Sequence, residues 1–239
     1  MDEKIIMEGE NIKIKENKKI FTIELKYSAY SLINSLIKTR IIQGGSTDET
    51  YKRIIFKADS VRSLSEYKNR KMLSQGKKNM LVSDVAKMLR SLTFQLNYLI
   101  EKESSTIIGY NEEDIIVIND EKFAFLGSEL IAKIDPEGSE MATISCPFSV
   151  KDFFVSPELL KIREIPSFIH YKTAYFSLGL LLIHVLLADD EFYIEYLKHK
   201  HSEKILESLN SHPVKNTRLY WVLSRCLVEE SKNRSIILI

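Results

Sequence analysis

Ile107-Ile108-Gly109-Tyr110-Asn111-Glu112-Glu113-Asp114-Ile115-Ile116-Val117-Ile118-Asn119-Asp120-Glu121-Lys122-Phe123-Ala124-Phe125-Leu126-Gly127 is the stretch on which the fold turns. It holds two short apolar runs, Ile115–Ile118 and Phe123–Leu126, of strand length. Asn119-Asp120-Glu121 between them is turn chemistry. A hairpin is therefore expected here, with the acids Glu112, Glu113 and Asp114 leading into it.

On the N-terminal side a long helix is expected from Ser83 to about Glu103. Ser83 reads as its N-cap, and Asp84 sits at the positive helix end. Val85, Leu89, Leu92, Leu96 and Leu99 form its apolar stripe. Further upstream the chain reads as three strands, around Lys4–Met7, Ile12–Lys15 and Phe21–Leu25. A helix with Ala29, Leu32, Ile33, Leu36, Ile37 and Ile41 on one face should follow and stop at Gly44-Gly45-Ser46. Arg53–Lys57 reads as one more strand. Residues 57–78 are polar and basic and read as a solvated connector, with a short helix around Leu64 and Tyr67 and a mobile part over 68–78, which contains Lys77 and Lys78.

On the C-terminal side Glu137-Gly138-Ser139-Glu140 marks a loop, and helices resume near Pro157. Ala174–Ala188 is the longest apolar stretch, interrupted by Ser177, Gly179 and His184 and closed by Asp189-Asp190. A membrane span needs roughly 20 apolar residues, so this stretch is expected to be a helix buried on all sides of a core. Helices around 192–199 and 202–209 follow. Leu219, Val222, Leu223, Cys226 and Leu227 make a last amphipathic stripe. Strands first and helices afterwards predict an α+β protein.

Composition narrows the function classes. Lys+Arg number 34 and Asp+Glu 33, a formal charge of +1, so no global basic excess points to nucleic acid. Hydrophobic residues make up 44% and charged residues 28%, which is globular rather than disordered composition. Cys146 and Cys226 are too few for a disulfide scaffold and lack metal-ligand spacing, so two buried thiols in a reducing compartment are expected. Met1–Lys4 and the short apolar run after it do not read as a signal peptide. An intracellular, soluble protein without a membrane span is the expectation. Five histidines, including His199 and His201, form no catalytic arrangement with Ser, Cys or Asp. Trp221 and the other aromatics lie in apolar stripes and are read as core.

The order of these pieces resembles the protein-kinase fold: a small strand-rich N-lobe with one helix, a hinge, a long helix, a hairpin, a Pro-Glu motif and a very hydrophobic helix. Residues 107–117 resemble the kinase catalytic loop and the strand after it. Gly109 stands at the catalytic Asp of that pattern and Asp114 at its Asn. Residues 122–127 are similar to the strand entering the Asp-Phe-Gly motif, with Phe125 at the magnesium-binding Asp and Gly127 kept. Phe153-Phe154-Val155-Ser156-Pro157-Glu158 is similar to the Ala-Pro-Glu segment. Tyr175-Phe176-Ser177-Leu178-Gly179 resembles the start of the buried helix, with Ala174 at its Asp. Asn233-Arg234 sits at the arginine that pairs with the Pro-Glu glutamate, so the resemblance implies a buried Glu158–Arg234 ion pair. It divides the chain into a reduced N-lobe over 1–60, a hinge and connector over 61–82 and a C-lobe over 83–239.

The resemblance also implies that the chemistry is lost. Phosphoryl transfer needs a lysine on the phosphates, magnesium ligands and an aspartate at the hydroxyl. Glu24 falls at the lysine, Gly109 cannot act as a base and Phe125 cannot hold a metal. The first turn, Glu8-Gly9-Glu10-Asn11, has one glycine between two acids rather than a phosphate-cradling loop. The expectation is a catalytically inactive pseudokinase without cofactor, acting as a protein-binding or scaffolding module. Its Ile/Lys/Asn-rich style resembles the kinase-like proteins of large DNA viruses, which would place it in host cytoplasm or virion. The alternative is an atypical nucleotide-binding kinase using Asp114 with Asp120 or Glu121 for metal and Lys26 or Lys57 for phosphate. A third reading, a secretion-machinery component of the same fold, fits less well, because such components carry a membrane span.

Overall fold

The computed structural model describes residues 3–76, 79–135, 138–147, 154–188, 191–199 and 202–237. Lys77, Lys78, Glu137, Phe153, Asp189, Asp190 and His201, named above, lie outside the described residues.

The chain starts with β1 (Lys4–Glu8), β2 (Ile12–Asn17) and β3 (Ile20–Leu25), an antiparallel meander. Period-two alternation turns Ile12, Ile14, Phe21, Ile23 and Leu25 to one buried face. Helix α1 (Tyr30–Lys38) covers that face with Leu32, Ile33 and Leu36. It does not run on to the glycines. Thr39 is its C-cap, Arg40 takes a left-handed φ of 59°, and the Ile42 N–H returns to the Leu36 carbonyl at 3.0 Å. Ile41 is buried, but beyond the helix, which is why its spacing imitates another turn. β4 (Ser46–Thr47) and β5 (Arg53–Lys57) complete a five-stranded antiparallel sheet in the order β1-β2-β3-β5-β4.

The basic stretch that follows is structured. β6 (Val61–Ser63) leads into α2 (Leu64–Gln75), where the Ser63 hydroxyl accepts the Glu66 N–H at 3.1 Å. The segment expected to be mobile is thus helical through Gln75. Leu64 and Tyr67 anchor that helix in the core. Helix α3 (Val82–Glu103) begins one residue before the expected cap. Leu81 occupies the N-cap and its carbonyl accepts the Val85 N–H at 3.0 Å, leaving Ser83 inside the helix.

After α3 come β7 (Ser105–Ile107), β8 (Gly109–Tyr110), a 3-10 turn over Glu112–Asp114, and the hairpin β9 (Ile115–Ile118) with β10 (Lys122–Phe125). β6 pairs with β9 on its other side. The hairpin divides two cores. Ile116, Ile118, Ala124 and Leu126 pack with the N-terminal sheet and α1. Ile115, Val117, Phe123 and Phe125 pack with the helical remainder. Both faces of β9 are therefore buried, so its sequence is apolar at every position instead of alternating.

The rest is mainly helical. Short pairings tie it together: β7 with β11 (Ile131–Lys133), β12 (Met141–Ile144) with β14 (Ser167–His170), and β8 with β13 (Phe154–Val155). These two- to four-residue strands are too short to be read from periodicity. Helix α4 (Pro157–Leu160) has proline in its first turn, where no N–H is needed. Helix α5 (Thr173–Leu187) is buried on all sides, as its apolar residues on every face require. Helices α6 (Glu191–His199), α7 (Glu203–Ser211) and α8 (Arg218–Cys226) follow. The protein is thus mixed α+β, with an antiparallel strand-rich N-terminal sheet and helices after it. Among the described residues no helix is long and apolar enough to cross a membrane.

Two expectations about burial need correction. Cys226 is buried, but Cys146 is exposed on the loop after β12, where neighbouring Ser145 and Pro147 are exposed too. Trp221 is 54% exposed rather than core. On α8 the residues Leu219, Val222, Leu223 and Cys226 take the inner face, and Trp221 falls outside it.

Candidate functional site

The 3-10 turn at Glu112–Asp114 forms the floor of a cleft of about 840 Å³. The turn forms because the Asn111 side chain caps it, accepting the Glu113 N–H at 3.0 Å. The first turn of the N-terminal sheet, Glu8-Gly9-Glu10-Asn11, also lines the cleft, as do Ser63 and Ser65 from the start of α2. Glu129 comes from a second 3-10 turn (Ser128–Leu130). Six carboxylates line the space: Glu8, Glu10, Glu112, Glu113, Asp114 and Glu129. Among the described residues no Lys or Arg lines it.

These carboxylates differ in their surroundings. Lys13 Nζ lies 2.7 Å from Glu8. Glu112 accepts from Lys68 Nζ at 2.7 Å and from His184 Nε2 at 3.2 Å. Burial opposes its charge, yet the hydrogen bonds from His184 and Lys68 prevail and hold it below the usual carboxylate range. Asp114 is the reverse case. It is 9% exposed, and its Oδ2 has no hydrogen-bond partner among the described residues. Burial first, then the nearby charges of Glu129 and Glu113, push its carboxyl up to about 7. At neutral pH this group is close to half protonated.

The sequence-selected residues separate in space. Gly109 is in β8, buried and paired with Val155 of β13. Phe125 is fully buried beneath the cleft floor, edge-on to Tyr110 with ring centroids 5.0 Å apart. Gly127 is required beside it. A Cβ there would stand 2.6 Å from Phe125 Cζ and 2.8 Å from Asp114 Oδ2. Glu24 does not line the cleft. Strand alternation puts it on the sheet face opposite Ile23 and Leu25, between Lys15 Nζ at 3.0 Å and Arg53 at 3.2 Å. Of the residues considered for metal or phosphate, Asp120 is tied to Arg62 and Arg70, and neither Asp120, Glu121, Lys26 nor Lys57 lines the cleft. Among the described residues no group of three or more His, Cys, Asp or Glu is placed to share a metal ion.

No family model and no curated protein matches the chain.

Glu158 and Arg234, by contrast, come together across 76 residues of chain. The fully buried guanidinium meets both carboxylate oxygens, at 2.5 and 3.1 Å. It also donates to the carbonyls of Val228 and Glu229 at 2.7 and 2.8 Å and stacks over the Phe176 ring at 4.8 Å. This is a structural clamp between α4 and the C-terminal segment.

Sequence reasoning missed Glu129 and Gln95. Glu129 stands two residues past Gly127, and nothing in its spacing marks it. Gln95 interrupts the apolar stripe of α3 and is fully buried. A buried amide inside an apolar stripe is a signal in principle, because such a group needs partners. Chemically, the cleft favours cationic groups and opposes anions. A lone carboxylate about 6 Å from a phosphate charge costs about 3 kcal/mol at an effective dielectric near 20. Millimolar affinity is worth only about 4 kcal/mol, so two such repulsions outweigh it.

Proposed function

We propose that the chain is a pseudokinase: a degenerate, two-lobed protein-kinase-like fold that has lost phosphotransfer and serves as a protein-binding or scaffolding module. The observation that carries this reading is the cleft. Among the described residues it is lined by six carboxylates and no Lys or Arg, and Phe125, at the expected metal-binding position, is fully buried beside Asp114. Such a lining supplies no Lys or Arg, among the described residues, for the phosphates that a kinase must hold. Further support comes from the order of the pieces. A strand-rich sheet with one covering helix precedes a long helix, a hairpin, a Pro-Glu turn and a fully buried helix. The Glu158–Arg234 clamp lies where the kinase resemblance asks for an ion pair.

One observation favours the alternative of a nucleotide-binding enzyme with relocated residues. Asp114 is buried, unpartnered at Oδ2 and titrates near neutrality, as a general acid or base would. None of the other residues of that scheme lines the cleft, although Lys26 Nζ lies 3.8 Å from Glu10 at its edge. A thermal-shift titration with ATP, with and without Mg²⁺, decides between the two. Ligand that binds the native state raises the melting temperature once it exceeds its dissociation constant. The pseudokinase reading expects no shift at millimolar nucleotide. A shift that requires Mg²⁺ and disappears in Asp114→Asn would replace it with the enzyme reading.

A further inference from the structure

Helices α3 and α8 both pack against α5 and leave a groove of about 710 Å³ between them. Its floor is apolar, from the buried Leu89, Leu219 and Val222. Its walls carry large apolar side chains left in solvent: Trp221 at 54% exposure, Ile237 at 47% and Phe94 at 43%. Such a concentration of exposed apolar surface marks an interaction site, and Trp and Arg are the side chains that anchor interfaces.

The charge of the groove selects the partner. Arg90, Arg218 and Arg225 line it, and among the described residues no Asp or Glu does. None of the three has a carboxylate partner among the described residues. Arg90 lies instead over the Phe94 ring, 5.5 Å from its centroid. In a protein with nearly equal numbers of acids and bases, three unpaired guanidiniums around one apolar groove are a local excess awaiting anions. Guanidiniums suit carboxylates because their planar fork matches the two oxygens. A trough between two helices fits a third helix, which presents apolar residues at i, i+3, i+4 and i+7.

We infer that this groove binds an acidic amphipathic helix of a partner protein, with its apolar face against Trp221, Phe94 and Ile237 and its carboxylates on Arg90, Arg218 and Arg225. The inference shares with the proposed function the premise of a protein partner. It does not depend on the kinase-like fold or on the state of the cleft.

The test is selection of a random peptide display library on the full chain. Enriched peptides are then synthesised and titrated while the emission of Trp221, the chain's single tryptophan, is followed. Selected sequences should combine Asp and Glu with apolar residues at helical spacing and shift Trp221 emission to shorter wavelength. Arg90→Glu, Arg218→Glu and Arg225→Glu together should weaken binding on the order of tenfold or more, since each replaces an attraction for the peptide's carboxylates by a repulsion. These positions are exposed, and an unchanged unfolding midpoint checks the fold of the variant. Trp221→Ser, read with fluorescein-labelled peptide, gives an independent loss.

Failure to enrich any peptide, enrichment without acidic residues, or binding indifferent to both variants would overturn the inference. A concentration-dependent dimer abolished by the same substitutions would assign the groove to a second copy instead. Binding of anionic vesicles that shifts Trp221 equally would assign it to a membrane surface. A nucleotide-driven thermal shift would overturn the proposed function and leave this inference standing, so the two fail separately.

Discussion

Gln95 holds the main chain of Phe125 from both sides. The Phe125 N–H donates to Gln95 Oε1 at 3.0 Å, and Gln95 Nε2 donates back to the Phe125 carbonyl at 2.9 Å. The same Nε2 reaches Ser35 Oγ of α1 at 3.2 Å. One buried amide on α3 thus ties the end of β10 to the helix that covers the N-terminal sheet. Gln95→Ala would leave a buried N–H and a buried carbonyl unpaired, each costing about 1–3 kcal/mol. A loss of about 2–6 kcal/mol is expected in urea unfolding. A midpoint close to that of the wild type would mean that this end of β10 reaches water.

The Glu158–Arg234 pair should behave as one unit. Arg234→Ala is expected to cost about 3–5 kcal/mol, because it leaves a half-buried carboxylate and two backbone carbonyls without their donor. Glu158→Ala strands a fully buried cation and belongs to the same range. The double variant should lose clearly less than the sum of the two single losses. Additive losses in equilibrium unfolding would show that the two residues act independently.

Asp114 imposes a pH dependence with a definite sign. Its folded value, about 7, lies above the unfolded value near 3.9. The native state therefore binds the proton more tightly than the unfolded chain does. The contribution to stability is fully present below about pH 4 and is lost as pH rises to about 7. Asp114→Asn removes this loss. Its stability relative to the wild type should rise between about pH 4 and 7 and level off above, by at most about 4 kcal/mol. Using the difference between the two proteins cancels the opposing contribution of groups such as Glu112. A difference that stays flat across this range would place Asp114 in water.

Gly179 lets α5 and α8 touch. A Cβ at this position would stand 2.9 Å from Cys226 Cβ. Alanine improves helix propensity by about 1 kcal/mol, but forcing apart a packed contact costs about 1–3 kcal/mol. Gly179→Ala should therefore be neutral to destabilising by about 2 kcal/mol in thermal unfolding. Adding Cys226→Ala should bring no recovery, since it keeps the Cβ that collides. A clear gain in stability from Gly179→Ala would show that the two helices have room to separate.

Much of the fold was legible from local pattern. The meander alternates Ile12 and Ile14 with lysines, α3 carries its leucine stripe, and 174–188 is apolar on every side, so each declares its period and its burial. The ends of elements were less legible. Ile41 is buried after α1 has ended, and Ser83 sits inside α3, because burial and hydroxyl chemistry do not by themselves mark where backbone hydrogen bonds stop. The two-residue strand β8 carries no period at all. At the site, Asp114 was singled out by the kinase resemblance, which puts it at the Asn of the catalytic loop. Its isolation from Asp120, Lys26 and Lys57 could not, because those distances follow from how β-strands and turns stack across two cores.

The sequence alone determined the α+β class, the central hairpin, the buried helix and the absence of an obvious phosphate loop. All of these are set within a few residues by spacing and side-chain type. Only the tertiary structure decided that six carboxylates from three separate segments share one cleft. It also decided that Gln95 finds both groups of Phe125, that Glu24 faces the other side of its sheet, and that Trp221 stays in solvent beside three arginines. Each depends on contacts between residues far apart in the chain, where burial and charge become properties of neighbours rather than of sequence.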